Sequence, residues 1–288
     1  MTGLAVSAPT AGPAARRRWR PRRYRVGWLL PPAIVVAGFF GYPLVLVLLQ
    51  SFTAPDGRFG LSVWTRVLSS PEFGSAVWQT ILLALGSTVG CALLGAFLAL
   101  VVAFVPIPGA TVLARLVDTV LAFPSFLIAL AFTFLYGGAG IFGAAGFLYS
   151  PWGVLLAEIT FYTPFVMRPA LAAFGQVPSA QLEVAASLGA RPGRVLWRVV
   201  LPEAWPSLAS GACLVLLLTM NEFGIVLFLG AKGVSTLPML VYGKGIVTFD
   251  FPAASVVAVV NVVLSLLLYS VYRRVAGRGG RRAAVDAA

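Results

Sequence analysis

Residues 182–202 read LEVAASLGARPGRVLWRVVLP, a stretch polar enough to leave a bilayer and set between two long apolar segments. Its spelling predicts two short helices. Ser179, after Pro178, is the expected N-cap of the first; Gln181 and Glu183 fall in the first turn, and Gly189 stands where a left-handed C-terminal cap belongs. Pro192 is expected to open the second helix and Pro202 to close it. Leu182, Ala185, Ala186 and Gly189 share one face of the first, and Val195, Leu196, Val199 and Val200 form an apolar stripe on the second. Arg191, Arg194 and Arg198 remain for the polar side. Such an element is a compact helical knob able to seat in a pocket of a soluble partner. The competing reading is a basic loop whose amphipathic helices lie on the membrane surface.

The flanking chain decides the environment. Of 288 residues 59% are hydrophobic and 10% charged, against about 45–50% apolar in a soluble globular chain, so this is an integral membrane protein. The net charge of +12 would suggest nucleic acid in a soluble domain. Here the charge lies in tails and loops beside apolar spans, where it sets topology and meets anionic lipids; no nucleic-acid partner is expected. There is no histidine. Cys91 and Cys213 both fall inside apolar runs, which predicts packing rather than a metal site or a disulfide framework.

Residues 1–25, with seven arginines between Arg16 and Arg25, read as a cytoplasmic tail. The first span is expected over residues 26–50, too long for a signal-peptide core. The others are expected at about Val77–Val105, Thr119–Tyr136 with a kink or start at Pro124, Trp152–Phe174, Ser207–Leu229 and Phe251–Tyr272, with residues 276–288 as a second tail. Only Arg58, Arg66, Lys232 and Lys244 of the 21 Lys and Arg then fall on the side opposite the tails and the knob. The positive-inside rule therefore predicts that both termini and the knob are cytoplasmic.

Glu183, Ala185, Gly189, Val199, Leu201 and Pro202 match the spacing of the EAA loop: E-A-A, three residues, G, nine residues, an aliphatic residue, one residue, L-P. Val184 departs from the family's usual alanine, a change that keeps a compact side chain. SSPEFGSAVWQTILLAL from Ser69 and YTPFVMRPALAAFGQVPSAQLEVAASLGA from Tyr162 extend the likeness, with Gln79-Thr80 in place of the common Asn-Thr. The chain thus resembles the inner-membrane permease subunits of bacterial binding-protein-dependent ABC importers, over residues of about 70–275 with the EAA loop at 179–202. The resemblance implies an all-α fold of six transmembrane helices, the type I (MetI-like) permease fold with cytoplasmic coupling helices. It implies an ABC ATPase dimer, a second permease subunit, identical or homologous, and a periplasmic substrate-binding protein as partners. The EAA positions would form the ATPase joint, Glu183 giving charge and Gly189 the turn. No cofactor is expected on this chain, and ATP and Mg belong to the ATPase; no G-x-x-x-x-G-K-[ST] stretch is present. An enzyme is not expected, for want of a nucleophile–base or metal constellation.

Polar residues inside spans mark candidate substrate-path positions: Glu158 and Tyr162 in the fourth span, Asn221 and Glu222 in the fifth, Asn261 in the sixth. Either carboxylate could line the path of a cationic or amine-bearing solute. The alternative is helix packing, and Glu222-Phe223-Gly224 resembles an EFG turn of sulfate, molybdate and phosphonate-type permeases, where it would serve structure or gating. The run from Thr219 to Asn261 is similar to permeases for 2-aminoethylphosphonate, a ligand that could use a carboxylate with Lys232 or Lys244 near the outer mouth. These lysines could equally meet a binding protein or solvent, and sulfate, molybdate, thiamine, iron or a polyamine remain other solutes. An ion-coupled secondary transporter would show internal repeats, and the two halves show none that convinces.

Overall fold

Long apolar runs must satisfy their own backbone in a bilayer, and helices do so within one segment. The computed structural model describes residues 30–106, 108–143, 145–230 and 233–286; the regular structure among those residues is helix, joined by turns, with one isolated bridge, Thr53 with Phe59. The tail expected over residues 1–25, and Lys232, lie outside the described residues. The chain divides into two units, Met1–Val45 and Leu46–Ala288. The first is helical from Leu30, with a π turn at Ala37–Gly41, and this helix (α1, Leu30–Ser51) carries the chain into the second.

After the last residues of α1, the second unit continues with a short helix, α2 (Ser62–Leu68), and a 34-residue helix, α3 (Pro71–Phe104). Ser70 caps α3 by accepting from Phe73 N at 3.3 Å, and Pro71 occupies the first position, where a missing N–H costs nothing. A bent pair follows, α4 (Ala110–Thr119) and α5 (Ser125–Tyr136). The segments Val112–Ala122 and Ser125–Tyr136 cross at 108°, because Phe123 and Pro124 are both extended, as a residue before proline and proline itself favour. After a short turn, α6 (Ala145–Leu148), come α7 (Pro151–Phe174), α8 (Ser179–Ser187) and α9 (Pro192–Met220). The chain ends with α10 (Gly224–Leu229), α11 (Leu237–Val247) and α12 (Phe251–Asp286).

Among the described residues four helices, α1, α3, α9 and the Phe251–Arg274 part of α12, are long and apolar enough to cross a membrane, or five with the bent pair counted as one span. The expected second span starts six residues earlier, at Pro71, since Glu72 and Ser75 are accommodated as its polar first turn.

Helix α7 is the centre of the packing. Leu155, Ile159 and Val166 of α7 meet Gly86, Gly90 and Gly95 of α3 in that order, so the two helices run parallel. At Gly95 the backbones nearly touch: a Cβ there would lie 3.0 Å from Met167 N and 3.1 Å from Thr163 O. Gly211 of α9 closes on the other side of the same turn, 2.9 Å from Phe165 O by the same measure. In lipid, where tails are as apolar as leucine, close backbone approach at small residues drives such contacts. A second cluster joins Val63 and Val67 of α2, Phe73 and Ala76 of α3, Leu237 and Leu240 of α11 and Val256 and Val257 of α12. It binds the starting end of α3.

Three expectations are corrected. Ser179 is the first helical residue of α8 rather than its cap; Pro178 stands in the cap position and offers no side-chain acceptor. Pro202 does not end a helix. A π turn at Leu196–Val200 lets Leu201 N–H reach back to Leu196 O, and the ladder continues to Met220 past Pro202 and Pro206. The fifth span is not continuous over Ser207–Leu229: the helix stops at Met220, and Asn221, Glu222 and Phe223 form a break before α10.

Candidate functional site

The breaks place the polar residues. Glu158 and Tyr162 lie four apart on α7 and so on one face. Glu158 is 1% exposed. Ser87 of α3 donates its hydroxyl to Glu158 Oε2 at 2.5 Å, and Glu158 Oε1 is buried without a partner. Tyr162 OH donates to Glu222 Oε2. On its other oxygen Glu222 accepts from Ser125 Oγ at 3.1 Å and from Ile225 N at 2.8 Å. The last bond satisfies an orphan donor at the start of α10.

The Glu222 carboxylate therefore joins three elements: α7 through Tyr162, the start of α5 through Ser125, and α10 through the backbone N–H of Ile225. Gly224 lets them close, since a Cβ there would sit 3.0 Å from Ser125 Oγ and 3.4 Å from Phe126 Cβ. One turn on, the rings of Phe126 and Phe228 stack at 5.9 Å. With three donors on it, the buried Glu222 carboxylate has the partners that burial of a polar group requires. It holds a joint between two interrupted helices. Asn221 is exposed; its amide donates to Leu217 O at 2.9 Å, and its carbonyl accepts from Asn261 Nδ2 at 3.0 Å. The candidates thus fall into three groups, Glu158 with Ser87, Tyr162 with Glu222, and Asn221 with Asn261, of which the second is the most connected.

The predicted knob is present as a turn between α8 and α9. Gly189 has φ +72°, Gly189 N donates to Ala186 O at 2.9 Å and Ala190 N to Ala185 O at 3.0 Å, the paired bonds of a left-handed helix stop. Its inner side packs on the core through Leu182, Val195, Leu196 and Leu201, while Ala185, Val199 and Pro202 are half-buried. Its outer side exposes Glu183 and three large apolar groups, Val184, Leu188 and Trp197, with Leu188 81% exposed. Nearby, Arg168 Nε donates to Asp118 Oδ1 at 2.5 Å, tying α4 to α7. The arginine side chain stays 56% exposed, so the charge on α7 meets both Asp118 and solvent.

Ser87 and Ser125 donate to the two buried carboxylates and are not singled out by the sequence, because a serine in a span reads like any small packing residue. Among the described residues no group of three His, Cys, Asp or Glu converges as a metal site.

The sequence profile of the binding-protein-dependent transport system inner membrane component family matches residues 92–278. The chain is 48% identical over 267 residues to a protein of Salmonella paratyphi A provisionally named 2-aminoethylphosphonate transport system permease protein PhnU, covering 88% of this chain and 92% of that protein. It is 32% identical over 251 residues to the molybdenum transport system permease protein ModB of Mycobacterium bovis, covering 84% and 91%. Among solved structures it is similar in fold to a chain of a bacterial alginate ABC transporter in complex with an alginate pentasaccharide-bound periplasmic protein. That match has TM-score 0.77 and 18% identity, covering 88% of this chain and 94% of that one.

Proposed function

This chain belongs to the family of binding-protein-dependent transport system inner membrane components, and we propose that its solute is 2-aminoethylphosphonate or a closely related phosphonate. It is a multi-pass permease subunit of an ABC importer, a transport subunit and not an enzyme. The observation that carries the substrate reading is the 48% identity to PhnU over 88% of the chain, against 32% to the molybdenum permease.

In this reading six helices cross the inner membrane with both termini in the cytoplasm. The one added to the five above is α7, fourth in chain order and 24 residues long, about 36 Å at 1.5 Å per residue; its Glu158, Tyr162 and Thr163 are buried within the protein. The α8–α9 turn, with Glu183, Ala185, Gly189, Val199, Leu201 and Pro202, docks into a groove of the ATPase dimer, and the exposed Val184, Leu188 and Trp197 supply apolar contact. Closure of the ATPases moves this rigid knob, and the motion rocks the spans of two permease subunits between inward- and outward-facing states. The periplasmic binding protein delivers the solute on the far side. ATP and Mg stay on the ATPase.

The test is reconstitution of the permease with its ATPase and binding protein in proteoliposomes. Uptake of 2-aminoethylphosphonate that requires ATP and the binding protein, and exceeds uptake of sulfate and molybdate, is the expected result. Uptake of one of those oxyanions instead would move the chain to another solute class.

A further inference from the structure

The starting end of α3 holds a cavity of about 570 Å³. From Glu72 to Phe104, where the Phe104 ring meets Phe174 at the end of α7, α3 spans about 48 Å. The cavity therefore lies at the end of the bundle away from the α8–α9 turn. Glu72, Ser75 and Gln79 line one wall from successive turns of α3, and Ser235, Lys244 and Thr248 line the opposite one.

That opposite wall is fixed by two hydrogen bonds. Ser235 N donates to Gln79 Oε1 and Leu237 N to the buried Thr80 Oγ1, each at 2.8 Å. Helix α11 ends in a π turn, Gly243–Val247, that carries Lys244. Phe249 follows with φ +56°, a left-handed conformation unfavourable for a bulky residue. Asp250 holds the strained turn, through its N–H to Lys244 O at 2.8 Å and an ion pair with Arg66 at 3.1 Å. Single π turns and strained non-glycine residues gather at functional sites, and here the π turn contains Lys244 and the strained residue follows it closely. Lys244 Nζ lies 3.0 Å from Glu72 Oε2 across the cavity, the two side chains 31% and 67% exposed. Wet pairs of this kind contribute little to stability, so this one can open at small cost.

We propose that this cavity is a receiving site for a small zwitterion, an ammonium joined by a short chain to a phosphonate or similar oxyanion. The ligand parts the ion pair: its anion takes Lys244 and its ammonium takes Glu72. The inference rests on the importer reading above and adds residues of this chain that distinguish an amino-phosphonate from a plain phosphonate.

The test uses the permease complex with its ATPase in nanodiscs, without binding protein, titrated with radiolabelled 2-aminoethylphosphonate and with ethylphosphonate as amine-free competitor. The native complex should favour the amine-bearing ligand by about tenfold, Lys244→Gln should weaken both ligands by about tenfold, and Glu72→Gln should erase the preference between them. A native complex that binds neither ligand saturably, or a preference that survives Glu72→Gln, overturns the site. In a parallel pull-down of the same nanodiscs by the loaded binding protein, loss of docking in both variants with the ligand ratio unchanged assigns the pair to protein docking and overturns the site too. Uptake by the complete transporter is measured alongside. If that transporter does not import 2-aminoethylphosphonate, the substrate reading falls and takes the site with it; if it imports while the ratio is unmoved, the site alone falls.

Discussion

Ser125 donates to Glu222 at 3.1 Å, and with that bond the bend after Pro124 in one helical pair is tied to the break after Met220 in another. Tyr162 and Ile225 N complete the joint. Interrupted helices leave backbone groups that lipid cannot satisfy, and polar side chains inside the protein must take them. Glu222→Ala should orphan three donors at once, each costing about 1–3 kcal/mol. Glu222→Gln keeps an oxygen for Ile225 and Ser125. Thermal unfolding in one detergent should therefore rank native above Glu222→Gln and Glu222→Gln well above Glu222→Ala. Equal losses for the two variants would show that the charge, and not the set of bonds, holds the joint.

The approach of α3 to α7 gives a contrast between two glycines. A Cβ at Gly90 meets the side chain of Ile159, with Cδ1 at 2.3 Å, and that group can turn aside. At Gly95 it meets Met167 N and Thr163 O, which are backbone. Gly95→Ala should thus destabilise by more than Gly90→Ala, by about 1–3 kcal/mol as overpacking does, and Ile159→Val should rescue Gly90→Ala alone. Melting curves of the four variants decide it.

Thr80 isolates one hydrogen bond. It is 2% exposed and accepts from Leu237 N at 2.8 Å while donating to Ala76 O at 2.7 Å. Thr80→Val preserves shape but leaves a buried N–H, at a cost of about 1–3 kcal/mol. Thr80→Ser keeps the oxygen and should stay within about 1 kcal/mol of native. Hydrogen exchange at Leu237 should quicken in the valine variant and not in the serine one.

What could be read from the sequence was what local chemistry dictates. Gly189 was legible because a left-handed stop favours glycine, and the bend at Pro124 because the residue before a proline is biased toward extended backbone. Pro202 misled, since a wide turn at Leu196–Val200 shifts the hydrogen bonding one residue ahead of it and the helix survives. The break at Asn221–Phe223 was hidden for another reason. Apolar residues continue on both sides, and the groups that make the break tolerable, Tyr162 and Ser125, are 60 and 97 residues away in the chain. The partner of Glu158, Ser87, was hidden in the same way, 71 residues off. Tertiary partners, and not spacing, determine which buried polar groups belong together.

The α8–α9 turn allows its conformation to be separated from its contacts. Nothing lies within 4 Å of a Cβ built at Gly189, so a substitution there acts only through the backbone at φ +72°. Asparagine tolerates the left-handed region, alanine does so at a cost of about 1 kcal/mol, and a β-branched residue does so poorly. If the shape of this turn transmits ATPase closure, retention of the ATPase in mild detergent should fall in the order glycine, Gly189→Asn, Gly189→Ala, Gly189→Val. Glu183→Arg, which leaves the turn intact and reverses an exposed charge, should weaken the complex by a separate route, additive with Gly189→Ala because the two residues act on different terms. ATPase retention that ignores all four substitutions would place the joint elsewhere on the chain and leave the exposed Leu188 and Trp197 to be tested as a membrane-surface face.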